Sequence, residues 1–185
     1  MKGFTREENR FSLCGLNCAL CSMHLGGYCP GCGGGAGNQS CTIAKCSLAH
    51  GGVSFCWECS EYPCSRYDGF DGGDSFVPHR NRRQDIARAQ ELGLEAYLAQ
   101  LEEKRAILDT LLAGYNDGRR KTLFHTAVYL LPLEELQSVM ADLDSRPELA
   151  GQAVKERAMV AVELLQQAAD RRDISLKLNK KAKKG

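Results

Sequence analysis

"CGLNCALCSMHLGGYCPGCGG", Cys14 to Gly34, packs five cysteines among glycines and holds no apolar run long enough for a buried strand or a long helix. Thiols this dense are held in one of three ways: as disulfides, as a redox dithiol, or as ligands of metal ions. The stretches that follow continue the theme. Cys41, Cys46, Cys56, Cys59 and Cys64 bring the total to ten, and no cysteine occurs after Cys64.

The chain has 185 residues, 43% of them hydrophobic, with a formal net charge of +1. That is a globular composition with room for one ordinary domain or two small ones. A nearly neutral chain projects no field that would by itself select nucleic acid or an acidic partner. The opening "MKGFTREENRF" lacks the apolar run of a secretory signal, and no stretch is long and apolar enough to span a bilayer, so a cytoplasmic location is expected. In that compartment thiols are kept reduced, which weighs against disulfides.

Composition divides the chain. Most of the nineteen glycines precede Pro78, and from His79 onward apolar residues recur every three or four positions. The expected fold is a small metal-stabilised cysteine-rich module, irregular with short strands and turns, followed by an all-α helical domain. The module is placed at 12–67, a Gly/Asp-rich linker at 68–78, the helical domain at 79–173, and a short extended segment with a lysine-rich tail at 174–185. Helices are expected from about Asn81 to Leu92, along Leu94–Tyr115 with closure at Asn116 or Gly118, through "RRKTLFHTAVYLL", from Pro132, and from about Pro147 to Arg172. The first half has too little apolar sequence to fold by hydrophobic burial alone, so it needs cross-links or metal.

The cysteine spacings suit metal. They run Cys14-x3-Cys18-x2-Cys21, Cys29-x2-Cys32, Cys41-x4-Cys46 and Cys56-x2-Cys59-x4-Cys64, with three CxxC pairs among them. A CxxC turn lets two thiolates converge on one ion while backbone N–H groups point at sulfur. Zinc takes four tetrahedral ligands, so about two zinc ions with two spare thiols is the favoured count. His24 and His50 are possible extra ligands and would raise it to three full sites, although a loop position is the commoner role for each. The alternative is an iron–sulfur cluster, since thiolates hold both metals. Cys14-x3-Cys18-x2-Cys21 also resembles the three-cysteine motif of radical S-adenosylmethionine enzymes, but the strand–helix alternation of their barrel is missing here. "CPGC" resembles a thioredoxin-like dithiol, yet neither a strand before it nor a helix after it is expected.

"CGLNCALC", "CPGC", "CTIAKC" and "GVSFCWECSEYPC" occur in the order seen in domain-of-unknown-function family 3795, a bacterial and archaeal group of cysteine-rich proteins regarded as metal binders. "HRNRRQDIARAQELGLEAYL" and "YNDGRRKTLFHTAVYLLPLEEL" are similar to the helical continuation of a subset of it, so the resemblance covers about residues 12–140. It implies a metal-stabilised module and assigns no catalytic residue. Where relatives place Tyr-Cys, this chain has Phe124-His125.

Two basic runs, "HRNRR" (79–83) and "GRRK" (118–121), open expected helices, where cations oppose the helix dipole and hint at a nearby anion. Phe55, Trp57 and Tyr62 lie among the last cysteines and are expected to pack around the metals. A nucleic-acid knuckle would need more positive charge than Lys45 and Arg66 supply, and any such binding would fall to Arg80, Arg82, Arg83, Arg119, Arg120 or the lysine tail. No hydrolase, metalloprotease or phosphate-loop motif is present; "GGGAGNQS" lacks the lysine. The functional expectation is a zinc-binding protein acting through contacts with another protein. An iron–sulfur or thiol redox protein is the alternative, and a nucleic-acid-binding zinc protein comes third.

Overall fold

The computed structural model describes residues 3–35 and 41–180; the "AGNQS" stretch and the last five residues of the lysine-rich tail lie outside them. The chain divides into two compact units, residues 1–99 with 179–185, and residues 100–178. Among the described residues the secondary structure is helical, and the one β feature is an isolated bridge between Phe11 and Asn17. The short strands expected in the cysteine region are not formed there. The turn residues are too closely spaced for one: Gly27, Gly31 and Gly33 all sit at positive φ and reverse the chain within a few residues of each other.

The first unit is built from turns and short helices. Cys18–Leu20 forms a 3-10 turn leading into α1 (Ser22–Leu25), and α2 (Thr42–Ala49) follows. Two further 3-10 turns, Cys56–Glu58 and Ser65–Tyr67, carry the last cysteines. Aromatic rings meet inside it among aliphatic side chains. Phe11 is fully buried, with ring centroids 5.9 Å from Phe55, 5.9 Å from Trp57 and 5.0 Å from Tyr97, while Phe55 and Trp57 stack at 4.1 Å. Such pairs add to the area they bury.

Helix α3 (Arg82–Leu92) and the start of α4 (Leu94–Gly114) are part of this same unit, although composition groups them with the later helices. The cause is local packing. A Cβ on Gly15 would lie 2.6 Å from the Arg82 carbonyl oxygen and 2.8 Å from the Ile86 side chain, so α3 approaches the chain as closely as glycine allows. Tyr97 then donates a 2.9 Å hydrogen bond to Asn17 Oδ1, and Asn17 Nδ2 donates to Asp85 Oδ2 at 3.1 Å.

Residues 68–78, expected as a connecting loop, fold onto the first unit. Phe70–Gly72 is a 3-10 turn, and Val77 and Asp74 are buried. The Asp74 carboxylate accepts from the His79 N–H at 2.7 Å, the Asn179 N–H at 2.7 Å and the Arg80 guanidinium at 3.1 Å. Its own N–H donates to the Asn179 carbonyl at 2.9 Å, so the far end of the chain is bound to this loop.

The second unit contains the rest of α4, then α5 (Lys121–Leu130), α6 (Leu133–Asp144) and α7 (Val154–Arg171). Leu108 and Leu111 of α4, Phe124 and Val128 of α5, Leu136 of α6, and Ala158, Ala161, Leu165 and Ala168 of α7 are sealed from solvent. Small residues on α7 leave room for its neighbours. Pro132 is the residue before α6, and Pro147–Gly151 is a separate 3-10 turn, so the last helix begins at Val154. Residues 174–178 are not a strand: Ile174 N–H bonds back to the Ala169 carbonyl, and Leu176 is buried.

Candidate metal centre

All ten cysteines lie in the first unit, and all those in the described residues are reduced. Local backbone hydrogen bonds aim them. In Cys18–Cys21 and in Cys56–Cys59 the fourth residue's N–H donates to the first cysteine's carbonyl, at 3.0 and 3.1 Å, closing the turn. Glu58 fixes the second of these turns by accepting from the Ser54 and Phe55 N–H groups at 2.7 and 3.1 Å. Cys56 N–H donates to the Leu13 carbonyl at 2.9 Å, which ties the turn to the neighbour of Cys14.

Two groups of thiols result. Cys14, Cys18, Cys29, Cys32 and Cys41 line a hollow of about 220 Å³. Cys46, Cys56, Cys59 and Cys64 line a much smaller one of about 30 Å³, together with Tyr62 and Tyr67. Ile43 borders both. Helix geometry explains why Cys41 and Cys46 part company: Cys41 directly precedes α2 and Cys46 sits within it, and five residues at 3.6 per turn point about 140° apart. Cys21 lines neither hollow but lies near enough to act on Cys18.

The electrostatics favour neutral thiols until something replaces their protons. Burial raises the Cys18 and Cys32 thiols, and it pushes Cys56 up to about 12 although Tyr67 hydrogen-bonds it. Backbone donors pull the other way. The Cys32 N–H is directed at the Cys18 sulfur and the Leu13 N–H at the Cys32 sulfur, bonds that favour thiolate. Tyr67 is buried, donates to the Cys14 carbonyl at 3.3 Å, and its phenol is raised by that burial.

Four cysteines border the smaller hollow, which is the number of sulfur ligands a tetrahedral site takes. Among the described residues no group of three or more Cys, His, Asp or Glu side chains is drawn together closely enough to hold an ion as it stands, so ligation requires the thiols to turn inward.

His24 and His50 are each engaged with a cysteine's backbone. His24 Nδ1 donates to the Cys29 carbonyl at 3.0 Å, and His50 Nδ1 donates to the Cys46 carbonyl at 2.8 Å. His50 Nδ1 is also 3.5 Å from the Cys46 sulfur, and Nε2 is 3.3 Å from Glu61 Oε1. The Cys46 carbonyl first, and Glu61 second, raise its pKa. His125 is buried on α5 in the second unit, which carries no cysteine.

The basic runs have carboxylate partners close in sequence. Arg80 meets Asp74 at 3.1 Å, Arg82 meets Asp71 at 2.6 Å, Arg83 meets Asp68 at 4.0 Å, and Arg120 pairs with Asp117. The anion suggested by arginines at helix starts is supplied by the loop before each helix.

Arg6 lies outside the module as bounded from sequence, yet it touches both cysteine-bearing stretches. Nε donates to the Ser54 carbonyl at 2.8 Å, Nη1 to the carbonyls of Phe11 at 3.1 Å and Cys32 at 3.3 Å, and the guanidinium lies 4.6 Å from the Phe55 ring centroid. No motif marks it. The one trace in the sequence is the glycine it packs on: a Cβ on Gly33 would lie 2.8 Å from the Arg6 nitrogen.

Compared with protein-family models, curated proteins and solved structures, the chain matches none. Among the described residues no helix is long and apolar enough to cross a membrane.

Proposed function

We propose that the two thiol groups hold zinc, about two ions per chain, and that the metal-bound module serves contacts with another protein. The observation that carries this reading is the segregation of the thiols around two hollows, with backbone N–H groups already directed at the Cys18 and Cys32 sulfurs. Bound zinc would supply cross-links between distant turns, with no redox chemistry of its own. Cys46, Cys56, Cys59 and Cys64 would hold one ion, and Cys14, Cys18, Cys29, Cys32 and Cys41 supply the ligands of the other. His24 and His50, each hydrogen-bonded to a cysteine carbonyl, are more naturally supports than ligands. Tyr28 and Phe76, large side chains left exposed on the first unit, suit a protein contact. The motif resemblance to domain-of-unknown-function family 3795 agrees with a metal-binding module.

An iron–sulfur centre is the second reading, because five thiols around the larger hollow exceed what one zinc ion takes. Electron transfer would then be the function. For the structural-zinc reading, strong chelation should abolish amide protection in 12–67 and leave 100–178 protected, since coordination free energy is folding free energy for such modules. Unchanged protection in 12–67 after complete metal removal would overturn it.

A further inference from the structure

We propose that Ser12 is the hydrogen-bond donor to the Cys14 sulfur when the larger hollow holds its metal, a positioning residue that fixes this sulfur and makes it a poor nucleophile. The inference rests on the metal reading above and adds a residue that the cysteine spacing does not reveal.

The contact is with sulfur itself. Ser12 Oγ lies 3.4 Å from Cys14 Sγ, and both residues are buried and line the same hollow. Cys14 is the one cysteine of the ten that is buried. An anionic sulfur withdrawn from water in this way is costly without a donor. The Ser12 hydroxyl can be that donor because its oxygen already accepts from the Leu16 N–H, at 2.6 Å. Its single hydrogen points elsewhere, and the acceptor within reach is the Cys14 sulfur.

Backbone hydrogen bonds hold the serine in place. Its N–H donates to the Leu16 carbonyl at 2.8 Å, and its carbonyl accepts from the Gly15 N–H at 3.0 Å, so residues 12–16 form a closed loop. The smaller hollow also has a buried serine, Ser47, but that hydroxyl donates to the Val53 carbonyl at 2.7 Å. The two serines are alike in burial and differ in partner.

A metal-bound cysteine carries its negative charge on sulfur, and a hydrogen bond to a charged acceptor is stronger than one to a neutral acceptor. Donation by Ser12 lowers the energy of the sulfur lone pairs. The sulfur then gives up an electron to an open-shell metal only at shorter wavelength, and it attacks electrophiles more slowly. Both are properties of the loaded protein, so the protonation of the empty thiols does not enter. Their consequence is that Cys14 serves as a ligand and not as a reactive thiol.

The test loads the full chain with cobalt(II), a spectroscopic stand-in for zinc, and compares Ser12→Ala, Ser12→Thr and Ser47→Ala with the unaltered protein. Ser12→Ala should move the sulfur-to-cobalt charge-transfer absorption to longer wavelength. Ser12→Thr keeps the hydroxyl and should bring it back, and Ser47→Ala should leave it in place. In the zinc-loaded proteins, iodoacetamide should modify Cys14 about 10-fold faster in Ser12→Ala than in the unaltered chain, read at that residue by mass spectrometry. An unshifted spectrum with an unchanged rate at Cys14 overturns the proposal and leaves the metal reading intact. A shift that Ser47→Ala produces equally, or that threonine does not reverse, also overturns it, because it marks a general disturbance of the first unit. Amide protection of residues 1–99 shows which variants keep their fold; if the threonine variant loses it, the Cys14 rates of Ser12→Ala and Ser47→Ala decide. An unaltered chain that binds neither cobalt nor zinc overturns both readings.

Discussion

The two units are held together by different means. In residues 100–178 the buried side chains are almost all aliphatic or phenyl, arranged as helix faces, and polar bonds such as Arg171 and Arg172 to Glu135 lie at the surface. In residues 1–99 aliphatic side chains such as Leu13, Leu20, Ile43 and Ile86 share the interior with aromatic and polar ones. Arg82 is the largest fully buried side chain among the described residues; it meets Asp71 at 2.6 Å and lies 3.8 Å from the Phe70 ring centroid. Tyr67 is buried beside it, and Asn17 and Asp74 are buried in the same unit. A helical unit can lose a contact and relax, whereas a unit of turns loses its shape when a hydrogen-bonded charge is removed. The first unit is therefore expected to depend on single polar residues and on coordination, and the second on packed volume.

Substitutions that break the contrast follow in order of expected effect. Arg82→Ala should destabilise the first unit by about 2–5 kcal/mol, mainly through the sealed volume it empties, since Asp71 is partly open to water. Hydrogen exchange should locate the loss in residues 1–99; an effect spread equally over 100–178 would show that the units are not separately stabilised. Leu165→Ala should cost about 2–5 kcal/mol through the cavity it leaves in the helical unit, and zinc content should not change. A fall in bound zinc on this substitution would contradict the division. Tyr97→Phe should cost about 1–2 kcal/mol, since Asn17 loses its donor in a buried position, with the change read in thermal unfolding of the first unit. Glu135→Ala should have the smallest effect. Arg172 and Arg171, both at the surface, hold that carboxylate below its usual range, and molar salt should reduce whatever difference is seen.

Much of this was legible from residue order alone. The 3.6-residue recurrence of apolar positions located α3 to α6 within a few residues, because those faces are buried as the period implies, but it started α7 at Pro147, where a separate 3-10 turn precedes the helix. Phe55, Trp57 and Tyr62 were rightly read as packing residues in part: Phe55 and Trp57 stack in the core, and Tyr62 meets Tyr67 edge-on at 5.4 Å. What escaped has a common cause. Asp71, Asp74 and Gly15 look like loop residues by composition, yet their roles come from partners at Arg82, Asn179 and Ile86. Local spacing carries no record of such contacts. The separation of Cys41 from Cys46 was accessible in principle, since helical phase alone points them apart once "TIAKC" is taken as a helix. Arg6 was not, because nothing near it in sequence is a cysteine.

Everything proposed for the first unit turns on whether these thiols hold zinc. Metal and acid-labile sulfide analysis of protein purified without oxygen tests it most directly. The account predicts a colourless protein with about two zinc ions per chain and no sulfide, retained in air. Iron and sulfide near stoichiometric amounts, in a brown preparation that bleaches on reduction, would contradict it and make electron transfer the function. A chain that carries no metal at all would contradict it as well.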